Sequence, residues 1–250
     1  MKFTVFITQF IDHTASYDYP VIHQLNNEKS LISDLLLNYK VKYGRPVSNM
    51  TEKVMVYIEV GLIQLIDLVS RKFIFININE IISYMIQNYC QKDERNQVLI
   101  TNVQTKYVWK DNSLRWNPDD YGGLDYVHLP VENIWTPDIV LYNYADTRLE
   151  EKRKVLVTIN SDGKVKWIPP SIFKSTCQIN IELFPYDQQN CSMKFGSWTY
   201  DGDSIDIQFL GNSEMNTDLY LDSNEWDIVS TKGQRNEKKY ECCIEFFPDM

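Results

Sequence analysis

From residue 54 onward the chain is a succession of short stretches that alternate apolar with polar residues and are cut by turn residues. This period of two constrains the fold more than any other feature, because it fits strands with one buried face and not helices. Val54, Val56, Ile58 and Val60 form the first such stretch. Residues 155–159 and 164–168 flank Asn160-Ser161-Asp162-Gly163, which predicts a hairpin with an Asp-Gly turn. Residues 205–209 alternate again, and residues 225–229 and 239–243 bracket the polar stretch 232–236, predicting a second hairpin. One helix precedes the strands: Asn27 can cap it, Leu31, Ile32, Leu35, Leu36 and Tyr39 share a face, and Gly44 and Pro46 end it. The expected fold is mostly β, an N-terminal helix followed by a β-sandwich.

Charge and cysteines narrow the function classes. A net charge of −9 argues against nucleic-acid binding, which needs a basic face. No apolar run reaches the length of a membrane helix. Residues 1–26 read as an N-terminal extension in which a short apolar stretch after Lys2 resembles a secretory signal, interrupted by Gln9 and ended by Asp12. Of the five cysteines, Cys177, Cys191, Cys242 and Cys243 make two plausible pairs and Cys90 is left over. Paired cysteines and the sequons at Asn49 and Asn190 favour a secreted or cell-surface domain. The three histidines stand at no metal-ligand spacing, no phosphate loop or nucleophile elbow occurs, and no cofactor is expected.

Thirteen residues separate Cys177 from Cys191, and Phe184-Pro185-Tyr186-Asp187 lies between them. This segment resembles the signature loop of the Cys-loop ligand-gated ion channels. Trp109-Lys110-Asp111, Leu114-Arg115-Trp116-Asn117-Pro118, Trp135-Thr136-Pro137-Asp138, Gly196-Ser197-Trp198-Thr199-Tyr200 and Tyr240-Glu241-Cys242-Cys243 extend the resemblance over residues 27–250, toward the nicotinic alpha-type subunits. It implies a ten-strand-type immunoglobulin-like sandwich whose last strand is cut short at Met250, and a Cys177–Cys191 disulfide. A loop of this size is worth about 3 kcal/mol in the chain-entropy treatment. It also implies coupling of agonist binding to gating through Phe184, Pro185 and Asp187, and a lysine, tyrosine and aspartate (Lys194, Tyr240 and Asp249) that exchange partners, the lysine being buried.

The implied ligand is an acetylcholine-like quaternary ammonium ion. Such an ion has no proton to donate, so electron-rich ring faces bind it, at about 0.5–2 kcal/mol each. The resemblance assigns walls to Tyr142, Trp198 and Tyr240, with Phe247 where alpha subunits usually carry tyrosine. Cys242 and Cys243 mark the alpha type; a bond between them would be strained and would close no chain loop. Two free thiols, half a metal site or a redox pair are the alternatives. Asn102-Val103 is followed by Gln104 where the complementary face of the family offers tryptophan. The chain is therefore expected to supply the principal face of a hetero-pentamer, on the extracellular side of a postsynaptic-type membrane.

Residues 69–92 interrupt the pattern. Sixteen of these 24 residues are Phe, Ile, Asn, Tyr, Lys or Met, all with AT-rich codons, and Val69-Ser70 can be encoded by a splice-donor-like GTAAGT. A retained intron is the favoured reading, and a genuine extra element the alternative. Two rival functions stand beside the receptor subunit: a soluble acetylcholine-binding protein of the same fold, and a secreted β-sandwich enzyme or lectin.

Overall fold

A computed structural model of the chain describes residues 21–68, 97–145, 154–180, 182–183, 186–239 and 246–249. Residues 1–20 and 69–92, with Cys90, lie outside them. Among the described residues a single α-helix, α1 (Val21–Asn38), precedes eleven strands. The strands are β1 (Val54–Leu68), β2 (Val98–Lys110), β3 (Tyr126–Pro130), β4 (Ile139–Leu141), β5 (Leu156–Asn160), β6 (Lys164–Trp167), β7 (Pro170–Thr176), β8 (Phe195–Ser197), β9 (Ile205–Phe209), β10 (Asn236–Lys239) and β11 (Phe246–Asp249).

Seven strands form the larger sheet, in the order β3-β5-β6-β2-β1-β9 with β7 also paired to β2; β10-β11-β8-β4 form the smaller. The alternation explains the burial. Val54, Val56 and Ile58 of β1 point inward with Val103, Tyr107 and Trp109 of β2, and meet Ile139, Leu141 and Phe195 from the smaller sheet. Rings lock the two layers: Phe173 meets Phe195 edge-on at 5.3 Å, and Trp109 meets Trp135 at 6.1 Å. Such pairs add to plain area burial. The expected Asp-Gly hairpin is the β5–β6 connection. Gly163 has φ +81°, and a Cβ there would stand 2.4 Å from the Asp111 carbonyl oxygen, so only glycine fits.

Three expectations need correction. The helix starts at Val21, so Asn27 lies inside it and does not cap it. The Asn27 amide instead fills the space beside Gly122, where a Cβ would stand. The helix ends at Asn38, before Gly44 and Pro46. Residues 225–229 form no strand, and Ile228 and Val229 are exposed. β10 pairs with β11 in their place.

A buried carboxylate ties α1 to the sandwich. Asp111 is fully buried; it accepts the Tyr39 hydroxyl at 2.7 Å and the Ser113 N–H at 2.9 Å. The same Tyr39 oxygen accepts the Trp135 N–H at 3.1 Å. Burial raises the Asp111 carboxyl above the ordinary range, and burial together with the adjacent carboxylate raises the Tyr39 phenol. Replacing Tyr39 with Phe removes the partner of one Asp111 carboxylate oxygen and of the Trp135 N–H, and is expected to cost about 1–3 kcal/mol in urea unfolding. The pH dependence has a definite sign. Between the ordinary Asp value and the raised folded one, the native state holds the extra proton, so this group's contribution to stability falls as pH rises through that window. Asp111→Asn should flatten that part of the stability–pH curve.

Candidate aromatic binding site

Tyr142 and Trp198 come from different segments and meet. Tyr142 follows β4, Trp198 follows β8, and these strands pair antiparallel. Their rings lie 6.3 Å apart, tilted by 58°. Trp198 is 74% exposed and Tyr142 38%, unusual exposure for two large rings side by side. The Tyr142 hydroxyl donates to the Ser197 carbonyl. Its ring lies over Gly196, where a Cβ would come within 2.6 Å of it. Glycine at 196 is thus the condition for the tyrosine's position.

The exposed indole is held from below by polar contacts. Asp138 accepts the Ser197 hydroxyl at 2.5 Å on one carboxylate oxygen and the Thr199 N–H at 2.7 Å on the other. Its backbone carbonyl accepts the Trp198 N–H at 3.2 Å. The Ser197 hydroxyl in turn accepts the Tyr200 N–H at 2.9 Å. Asp138, Gly196 and Ser197, which lie within the Trp-x-Pro-Asp and Gly-Ser-Trp motifs, position the Tyr142–Trp198 pair, a role that the residue order alone does not assign. A short acidic and hydroxylic set flanking an aromatic was the available signal.

Of the other site residues, Tyr240, Cys242, Cys243, Phe184 and Pro185 lie outside the described residues. The backbones of Phe247 and Asp249 lie on β11, paired with Lys238 and Asn236, and Asp249 also faces Gly196 of β8. The β10–β11 hairpin therefore runs beside the aromatic pair. Arg235 braces its base, donating to Asp206 at 2.6 Å, to the Ile207 carbonyl at 2.9 Å and to Glu237 at 2.6 Å. Lys194 is exposed, so the cost of an unpaired buried ammonium does not apply to it.

A disulfide joins Cys177 to Cys191. Within its loop Gln189 bonds both the N–H (2.9 Å) and the carbonyl (2.6 Å) of Asn180 and also reaches the Asp187 carboxylate. Asn49 and Asn190 are both exposed. Gln104 is half-buried on β2, opposite Gly61, and two residues on Lys106 is ion-paired with Glu59 at 3.1 Å.

The sequence model of the neurotransmitter-gated ion-channel ligand binding domain matches residues 75–250. The chain belongs to this family. It is 40% identical over 233 residues, 92% of its length, to the human neuronal acetylcholine receptor subunit alpha-3. It is 41% identical over 225 residues to the chicken (Gallus gallus) subunit alpha-2, and 41% over 230 residues to acetylcholine receptor subunit alpha-L1 of Schistocerca gregaria, 89% of its length in each case. The chain covers 41% of the first of these relatives and 37% of each of the other two. The nicotinic alpha-type resemblance is thus borne out across most of the chain, and a receptor-domain family rather than an enzyme family is the result. No helix among the described residues is long and apolar enough to cross a membrane.

The geometry makes one substitution diagnostic. Gly196→Ala should displace the Tyr142 ring, since the added methyl cannot coexist with it. The expected outcome is a folded domain with altered near-ultraviolet circular dichroism and loss of the Tyr142–Trp198 contact in a crystal structure.

Proposed function

We propose that this chain is the agonist-binding part of an acetylcholine-receptor-like subunit, and that the Tyr142–Trp198 corner takes up the quaternary ammonium group of an acetylcholine-like ligand. The observation that carries the reading is the juxtaposition of two exposed rings, fixed by Asp138 and Gly196, in a chain that resembles alpha-type subunits. A cation over a desolvated ring face gains up to about 2 kcal/mol, and the indole is the best such face. Tyr240 and Phe247, on or next to the adjacent hairpin, would supply further walls, with Cys242 and Cys243 stiffening its tip. Lys194, Asp249 and the disulfide loop would carry the response onward, Asn49 and Asn190 would carry glycans, and the domain would stand on the extracellular side of the cell membrane.

The reading includes a hetero-pentamer. Gln104 offers no ring to a cation. Another subunit would therefore supply the complementary face.

The test is titration of acetylcholine into an assembly purified from cells that co-express this chain with a subunit carrying tryptophan at the position of Gln104. Saturable binding is expected, weakened about ten- to thirtyfold by Trp198→Ala. No binding by the parent assembly, or an unchanged Kd in the variant, would overturn the proposal.

A further inference from the structure

The residue after Tyr142 makes more connections than its half-exposed position requires. The Asn143 side-chain amide donates to the Thr176 carbonyl at 3.1 Å and to the Ser192 carbonyl at 2.8 Å. Its side-chain oxygen accepts the Lys194 N–H at 3.0 Å. Its backbone carbonyl accepts the Thr176 N–H at 2.8 Å and the Thr176 hydroxyl at 3.3 Å. Thr176 immediately precedes Cys177 and Ser192 immediately follows Cys191, so a single side chain grips both feet of the disulfide loop. The preceding peptide joins the same seam, with the Tyr142 N–H donating to the Lys194 carbonyl at 2.7 Å.

We infer that Asn143 is the positioning residue through which the aromatic corner and the Cys177–Cys191 loop sense each other, an inference that rests on the reading of Tyr142 and Trp198 as ligand walls. The Tyr142 ring cannot settle downward, because it already lies on Gly196 with its hydroxyl on the Ser197 carbonyl. A ligand that shifts the ring therefore moves the Tyr142–Asn143 peptide sideways. On either side of that peptide, the Asn143 side chain and carbonyl are bonded to the two feet of the loop, and the Tyr142 N–H to Lys194, which leads into β8. Only a side-chain amide of this length supplies two donors and an acceptor at once. Aspartate loses both donors and sets a charge against the Thr176 and Ser192 carbonyls. None of the side-chain bonds buries apolar surface, so Asn143→Ala should leave the fold and the backbone bonds to Thr176 and Lys194 intact while removing the side-chain link that spans both feet of the loop.

The experiment measures amide hydrogen exchange of this chain within the same co-expressed assembly, carrying Asn143, Asn143→Ala or Asn143→Asp, with and without saturating acetylcholine. In the parent protein, ligand should slow exchange across residues 178–190 by about fivefold or more. Asn143→Ala should bind acetylcholine with an affinity close to the parent's and lose that response, and Asn143→Asp should do the same. Coupling is reciprocal, so a second arm needs no ligand. Replacing Cys177 and Cys191 with Ser should speed exchange of the Trp198 N–H in the parent background and leave it unchanged in the Asn143→Ala background. A loop response that survives in Asn143→Ala overturns the inference, as does an equal disulfide effect in both backgrounds. A parent protein that binds no acetylcholine contradicts the reading of the site instead, and the ligand-free arm then decides the role of Asn143.

Discussion

An indole that stands largely in water has little packing to hold it, so the place of Trp198 depends mainly on what its backbone is bonded to. That anchor is Asp138, whose two carboxylate oxygens and backbone carbonyl fix residues 197–199 from one side. Charge-assisted bonds of this kind are the stronger class, and here they act on backbone and hydroxyl donors that would otherwise be free to turn. The rest of the corner follows. With Ser197 fixed, its carbonyl is available to the Tyr142 hydroxyl, and with glycine at 196 the tyrosine ring can lie against the strand. In the proposed function the exposure that would be a liability on an ordinary surface becomes the means of recognition, because a ring face open to solvent is a ring face open to a cation.

The sandwich supports this corner from a distance. The larger sheet supplies most of the core, while the smaller sheet carries Tyr142 at the end of β4, Trp198 at the end of β8 and the β10–β11 hairpin alongside. The groups proposed to contact ligand are thus gathered on the short strands and their loops, where movement costs little packing. The buried Asp111, bonded to Tyr39 and to Ser113, holds the end of the helix to the end of β2. The Asn143 side chain joins the two feet of the Cys177–Cys191 loop to the corner.

Much of this was legible from residue order. The period of two gave β1, the β5–β6 hairpin and β9, because strands buried on one face repeat their apolar residues at every second position. The helix face of Leu31 and Leu35 was equally plain. Its start was not, since Asn27 has the chemistry of a cap but is used to pack against Gly122. Residues 225–229 alternate like a strand yet form none, and pairing is a property of the whole fold that no local pattern contains. At the site, motif context singled out Tyr142 and Trp198 from many aromatics. The roles of Asp138, Gly196 and Asn143 needed coordinates, because each acts on residues far away in the chain.

The central claim is that charge, not merely shape, is what the aromatic corner recognises. The most direct test compares acetylcholine with its uncharged carbon isostere, 3,3-dimethylbutyl acetate, by calorimetric titration into the same assembly. The account predicts that acetylcholine binds about tenfold or more tightly, since only the cation interacts with the ring faces electrostatically. Equal affinities for the two would contradict it.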